Sequence, residues 1–189
     1  MEGATMTGAI DRGAASPAAL IASGPEGCIL VGQGAVVTIR RAPVDGRHVA
    51  DVHRALSTVR ESGHEKAVML SVFRLSPRFP VEVADTRRAG DYAATWRTLD
   101  RHVAAYAMVI EFGGVRGAGL RAMAHRARVI ARPQAQLGIF ERLTDAAAWL
   151  APFAAVTCPE ADPATYVRLY READAILERI DAVQESART

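Results

Sequence analysis

The chain has 189 residues, 50% of them hydrophobic and 23% charged, a size and mix that can bury one core of ordinary domain dimensions with short appendages. A formal net charge of +2 is too small to point to nucleic acid or a membrane surface as a partner. Lys66 is the only lysine, so the positive charge is carried by arginine, which suits anion recognition. Cys28 and Cys158 lie far apart without C-x-x-C spacing, which argues against a metal site or disulfide framework and fits a reducing, cytoplasmic setting.

Residues 1 to 25 are rich in Ala, Gly, Ser and Thr without a sustained period, and read as a flexible arm. They collect no apolar block of the signal-peptide kind, and no stretch of the chain reaches the ~18 to 20 apolar residues of a membrane helix. "CILVG" and "AVVTIRR", separated by "QG", predict a β-hairpin over 28 to 41. Val49, Val52, Leu56 and Val59 share one helical face, with Gly63 as the stop. "KAVMLSVFRL" has the length and continuity of a strand covered on both faces. A Pro-broken loop follows, then a helix from near Asp85 or Asp91 through Tyr92, Trp96, Leu99 and Val103.

"YAMVIEF" predicts a further buried strand, and "GGVRG" turns it into the helix "AGLRAMAHRARVIA", which Pro133 ends. "QLGIF" is a short strand, and "TDAAAWLAP" a short helix with Thr144 as N-cap. Residues 152 to 161 read as a connector. Asp162 as N-cap and Pro163 at the first helical position then open an amphipathic helix over 162 to 187. Tyr166, Leu169, Ala173, Ile176, Ile180 and Val183 form its stripe, widened by Tyr170 and Leu177. Such a stripe must be buried against the domain or in a homodimer, and its width favours the domain. Trp96 and Trp149, at helical spacing, read as core. The order predicts an α/β layered sandwich over 26 to 151, with a mixed sheet of about five strands.

Chemistry-bearing patterns are sparse. Gly114, Gly117 and Gly119 give G-x-x-G-x-G, the reverse of the dinucleotide fingerprint, and the acidic residue expected about 20 positions on is missing. No G-K-[ST] exists for a phosphate loop. His48, His53, His64, His102 and His125 lack metal-ligand spacing. Glu111 and Glu141 end strands and read as charges reaching solvent rather than an acid–base pair. The sequence therefore assigns no catalytic residue, metal or cofactor. Arg74, Arg78, Arg87, Arg88 and Arg116, with Gly114 and Gly117, fall at the C-terminal edge of the sheet, where a small anion, a nucleotide or a partner protein can be held.

Two family resemblances follow from these residues. Gly117-Ala118-Gly119-Leu120, with Ala131, Ala135, Gly138 and Glu141, resembles the glycine turn of the crotonase superfamily, which implies an acyl-CoA enzyme with a backbone oxyanion donor. The upstream segment "SVFRLSPRFP" lacks that family's other oxyanion loop. Over residues 28 to 151, and above all in "AYAMVIEFGGVRGAGLRAMAHRARVIARPQAQLGIFERLTDAAAWL", the chain resembles divergent bacterial members of the STAS (SpoIIAA-like, anti-sigma-factor-antagonist) fold. The Ala131-Arg132-Pro133 break, Phe140 at a strand end and the Ala146–Leu150 helix carry the likeness. It implies a non-catalytic regulatory or scaffolding protein acting through a protein partner. The family's Asp-Ser-Ser-Gly-like phosphosite is absent from "LSPRFPVEVADTRRAG", where Ser76 and Thr86 are the only hydroxyls.

Overall fold

The structure, a computed structural model, describes residues 18–74, 86–111, 113–157 and 162–187. Six strands lie in sequential order: β1 (Ala19–Gly24), β2 (Gly27–Gly32), β3 (Ala35–Arg40), β4 (Ala67–Phe73), β5 (Val103–Ile110) and β6 (Gln136–Phe140). The first three pair antiparallel and the last four parallel, so the sheet is mixed. The helices are α1 (Gly46–Glu61), α2 (Thr86–Leu99), α3 (Gly114–Ala131), α4 (Leu143–Thr157) and α5 (Pro163–Ser186).

Local chemistry explains the joints. Gln33 and Gly34 both have positive φ (49° and 73°), the two-residue turn whose twist suits a hairpin, and β2 and β3 pair across it from Gly32↔Ala35. Asp45 caps α1 by accepting from the backbone N–H of His48 at 2.8 Å. Its other end closes with Gly63 at φ 90°, the N–H of Gly63 reaching Arg60 O (3.0 Å) and that of His64 reaching Val59 O (3.3 Å). Asp162 caps α5 through the Thr165 N–H at 2.8 Å, with Pro163 behind it. That hydrogen bond, and a second from the Thr165 hydroxyl, hold the Asp162 carboxyl below its usual range.

Period-two alternation divides the strands between two cores. Ile29, Val31, Val36 and Met69 face α1, while Met108, Ile110 and Leu137 face α2 and α3. Leu30, Val37, Leu70, Ala107 and Val109 face the opposite way, against α4 and α5. The three crossover helices thus share one face and the two C-terminal helices cover the other. Where Thr38 and Ser71 interrupt the apolar pattern in registered positions of β3 and β4, they bond each other at 2.8 Å.

Several boundaries differ from the sequence expectation. The segment expected as an arm to residue 25 contains β1, which pairs with β2 across Gly24↔Gly27. The ladder gives this strand its structure, and its half-exposed "ALIASG" shows no alternation to read. The helix expected to reach Val103 ends at Leu99. A 3-10 turn over Asp100–His102 intervenes, and Asp100 accepts from the N–H groups of Gln134 (2.8 Å) and Ala135 (2.6 Å). The connector expected from 152 begins inside α4, which continues through Pro152 to Thr157. Pro152 and Ala148 are both exposed, so water can take the carbonyl that proline leaves without a helical donor. Thr144 lies within the first turn rather than at the cap.

The C-terminal helix folds back on the domain. Tyr166, Leu169, Tyr170, Ala173 and Leu177 are buried in the same core as β2 to β5, so α5 is a structural layer. Each large apolar chain among them is worth roughly 1.5 to 3 kcal/mol when fully buried. The stripe runs along the Tyr170–Leu177 side: Ile176 and Ile180 are half-buried and Val183 is exposed. Arg168, on the outer side of the helix, donates to Gln33 Oε1 at 3.2 Å.

Candidate functional site

Three places on the described surface concentrate chemistry. The first is the C-terminal end of β3 to β5. The register Arg40↔Phe73 makes Arg41 and Arg74 neighbours on adjacent parallel strands, just past the ladder. Arg41 meets Asp181 at 2.8 Å, and Arg74 meets Asp174 at 2.5 Å, so two aspartates seven residues apart on α5 clamp that helix to the sheet. Arg74 also donates to the Tyr170 hydroxyl and lies 3.5 Å from Glu111. Tyr170 donates in turn to Glu111 at 3.2 Å. Burial, with Glu111 and Asp174 nearby, outweighs the Arg74 charge and pushes the phenol up to about 12, so it remains a donor.

This changes the sequence reading at Arg74 and adds partners to Glu111, which is exposed as expected. Two carboxylates and a phenol occupy the guanidinium expected at an anion-binding edge, and Glu111 belongs to that network. Ser76 and Arg78 lie outside the described residues. Thr86, Arg87, Arg88 and Arg116 are placed in α2 and α3, their side chains outside the description. Gly114 opens α3 at φ 71°, a left-handed conformation that favours glycine, and a Cβ there would meet open space. The glycine is needed for the turn itself. Gly117 is buried in the first turns of α3.

The second place is a cleft of about 250 Å³ between the β1–β2 turn and the start of α1. Arg40, 6% exposed, lies in it with Glu26 at 3.9 Å and Asp45 at 3.5 Å, and donates to Pro43 O at 2.5 Å. His48 joins the lining, and burial, then the Arg40 charge, lowers its imidazole to about 4. It is neutral at physiological pH. Arg40 and His48 came together only through the β3–α1 turn, which no sequence spacing advertised.

The third is the β6 side of the molecule. The α4 sequence carries one charge, Asp145, and its outer residues Ala148, Pro152, Ala155 and Val156 are all exposed, Val156 at 84%. Beside them Phe140, Trp149 and Phe153 form a half-buried row, with ring centroids 5.5 and 5.0 Å apart. Trp149 is therefore a core-edge residue, whereas Trp96 is buried. Gly138 makes room for the row, since a Cβ there would sit 2.4 Å from the Phe140 ring. Across β6, the last two turns of α3 present His125, Arg128, Val129 and Arg132 to solvent.

Among the described residues no three His, Cys, Asp or Glu side chains converge for a metal, and no helix is long and apolar enough to cross a membrane. The Cys28 thiol is buried, which pushes it up to about 11. Comparison with protein-family models, with curated proteins and with solved structures finds no match to this chain.

Proposed function

We propose that the protein is a non-catalytic interaction module, regulatory or scaffolding in role, with a STAS-like fold. The observation that carries the interaction reading is the outer face of α4, apolar from Ala148 to Val156 with Asp145 as its one charge, continuous with the Phe140–Trp149–Phe153 row. Exposed apolar surface of this kind, aromatic at its base, marks protein contact surfaces. The STAS reading is supported by the leading antiparallel strands, the sequential strand order and the three crossover helices on one face. It adds a partner-binding role by resemblance alone.

The test combines ligand screening with partner capture. The reading expects CoA esters, nucleotides and phosphate to leave the melting temperature unchanged. It expects a protein retained by the wild type to be lost by an Ala148→Glu/Val156→Glu variant, which keeps its own melting temperature because both sites are exposed. A large shift with acyl-CoA favours the crotonase-like alternative, and one with phosphate or nucleotides an anion binder. Either result, or capture unaltered by the variant, ends the proposal.

A further inference from the structure

We infer that the free edge of β6 receives an extended segment of a partner protein in which acidic and apolar residues alternate. The inference rests on the interaction reading above and names what that partner offers.

Strand order ends at β6, which pairs with β5 alone among the described residues. Its outer N–H and C=O groups are thus a template for one more strand. The surfaces flanking that edge differ in chemistry. On one side His125, Arg128, Val129 and Arg132 fall at i, i+3, i+4 and i+7 of one helical stripe, and with Leu137 they line a groove of about 490 Å³. The α3 sequence contains four arginines and no acidic residue. Among the described residues neither Arg128 nor Arg132 has a carboxylate partner, and Val129 is 71% exposed between them. The nearby acids are committed: Asp100 accepts from Gln134 and Ala135, and Glu141 pairs with Arg121 at 3.0 Å.

On the other side stands the Phe140–Trp149–Phe153 row. The alternation of β6 itself sets the two apart, Leu137 and Ile139 facing α3, Gly138 and Phe140 facing α4. A strand added at this edge must alternate in the same way. Its residues on the α3 side meet two uncompensated guanidinium groups and call for carboxylates. Those on the α4 side meet aromatic rings and call for apolar chains. Backbone pairing requires a polypeptide, which sets this occupant apart from nucleic acid, whose phosphates could use the arginines but not the edge.

The test uses the full chain and three fluorescent decapeptides: alternating Glu and Val, alternating Lys and Val, and the Glu-Val sequence N-methylated at every second residue. Binding is read by anisotropy and by amide chemical shifts of β6. The Glu-Val peptide should bind with shifts at Gln136–Phe140. Binding should weaken at least about tenfold for the other two peptides and for the Arg128→Glu/Arg132→Glu variant, whose exposed substitutions spare the fold. No binding of the Glu-Val peptide overturns the inference. So does equal binding of the N-methylated peptide, indifference to the charge reversal, or tighter binding of a single-stranded oligonucleotide at the same arginines. If the α4 variant still loses its captured protein while the peptide fails, strand addition is wrong and the interaction reading stands. If the α4 variant loses nothing, that reading has failed by itself.

Discussion

Arginines at two places on this molecule do opposite work. At the ends of β3 and β4, Arg40, Arg41 and Arg74 each face carboxylates: Glu26 and Asp45, Asp181, and Asp174 with Glu111. Toward the end of α3, Arg126, Arg128 and Arg132 have no ion pair among the described residues. The first set is half-buried or deeper and lies in the seam between sheet and helices, where an unpaired charge costs more the deeper it sits. The second is exposed, where leaving it unpaired costs little. An arginine's neighbours, rather than its place at a sheet edge, decide whether it holds the fold or remains available to a partner.

The largest effect should come from removing the helix that the first set clamps. Truncation after Thr157 deletes α5 and uncovers the β2–β5 face along Leu30, Val37 and Leu70. Six buried α5 residues are lost with it, four of them large, a loss comparable to the whole margin of a typical domain. The shortened chain should aggregate or show no cooperative melting transition in calorimetry. A soluble product with the full-length melting temperature would show that the clamp holds nothing of consequence.

The Arg40 cleft gives the next effect, and its sign can be worked out. The His48 imidazole is lowered to about 4 in the folded protein, by burial first and by Arg40 second, against 6.5 for an ordinary histidine. Below pH 6.5 the unfolded chain therefore binds a proton that the folded chain refuses. Stability present at neutral pH is lost as the pH falls toward 4. Between pH 7.5 and 5 the loss should be about 1 to 2 kcal/mol, since the ring is half-buried and neighbouring charges are partly screened. Glu26, Asp45, Asp51 and Arg47 share the cleft with the ring. The measurement is accordingly the difference between wild type and His48→Asn in urea unfolding at the two pH values. Equal losses in both proteins would remove the effect from His48.

The hairpin, the buried strands, the capped α5 and most of the expected core were legible because each has a local cause: a Gln-Gly turn, an apolar run, an Asp-Pro start. β1 was not, because an edge strand held by its ladder requires no pattern in its own sequence. The clamp was hidden for a different reason. Asp174 and Asp181 look like ordinary polar-face residues until α5 is laid along β3 and β4, and Arg41 and Arg74 become neighbours only through parallel register. The α3 groove was half visible, since an acid-free run of arginines is plain in the sequence. What the sequence lacked was the knowledge that this run lies beside an uncovered strand.

The smallest effects test the contrast directly, by removing one member from each set of arginine surroundings. Asp174→Ala leaves Arg74, a third exposed, with Glu111 and Tyr170 as its remaining partners, and takes away its shortest carboxylate contact. The pair is partly open to water, so the cost is about 1 kcal/mol rather than the several of a fully buried pair. Tyr170→Phe in the same background should cost less than the two single changes summed, because both act on one guanidinium. Arg128→Ala/Arg132→Ala removes two charges that face no described acid and should move stability by no more than about 0.5 kcal/mol in either direction. Removing like charges from an acid-free helix can even stabilise it slightly. Urea titrations of the four variants (Asp174→Ala, Tyr170→Phe, the two combined, and Arg128→Ala/Arg132→Ala) at pH 7 and moderate salt make the comparison. A loss above 1 kcal/mol in the α3 variant would mean that those arginines serve the fold after all, and the division between the two sets would collapse.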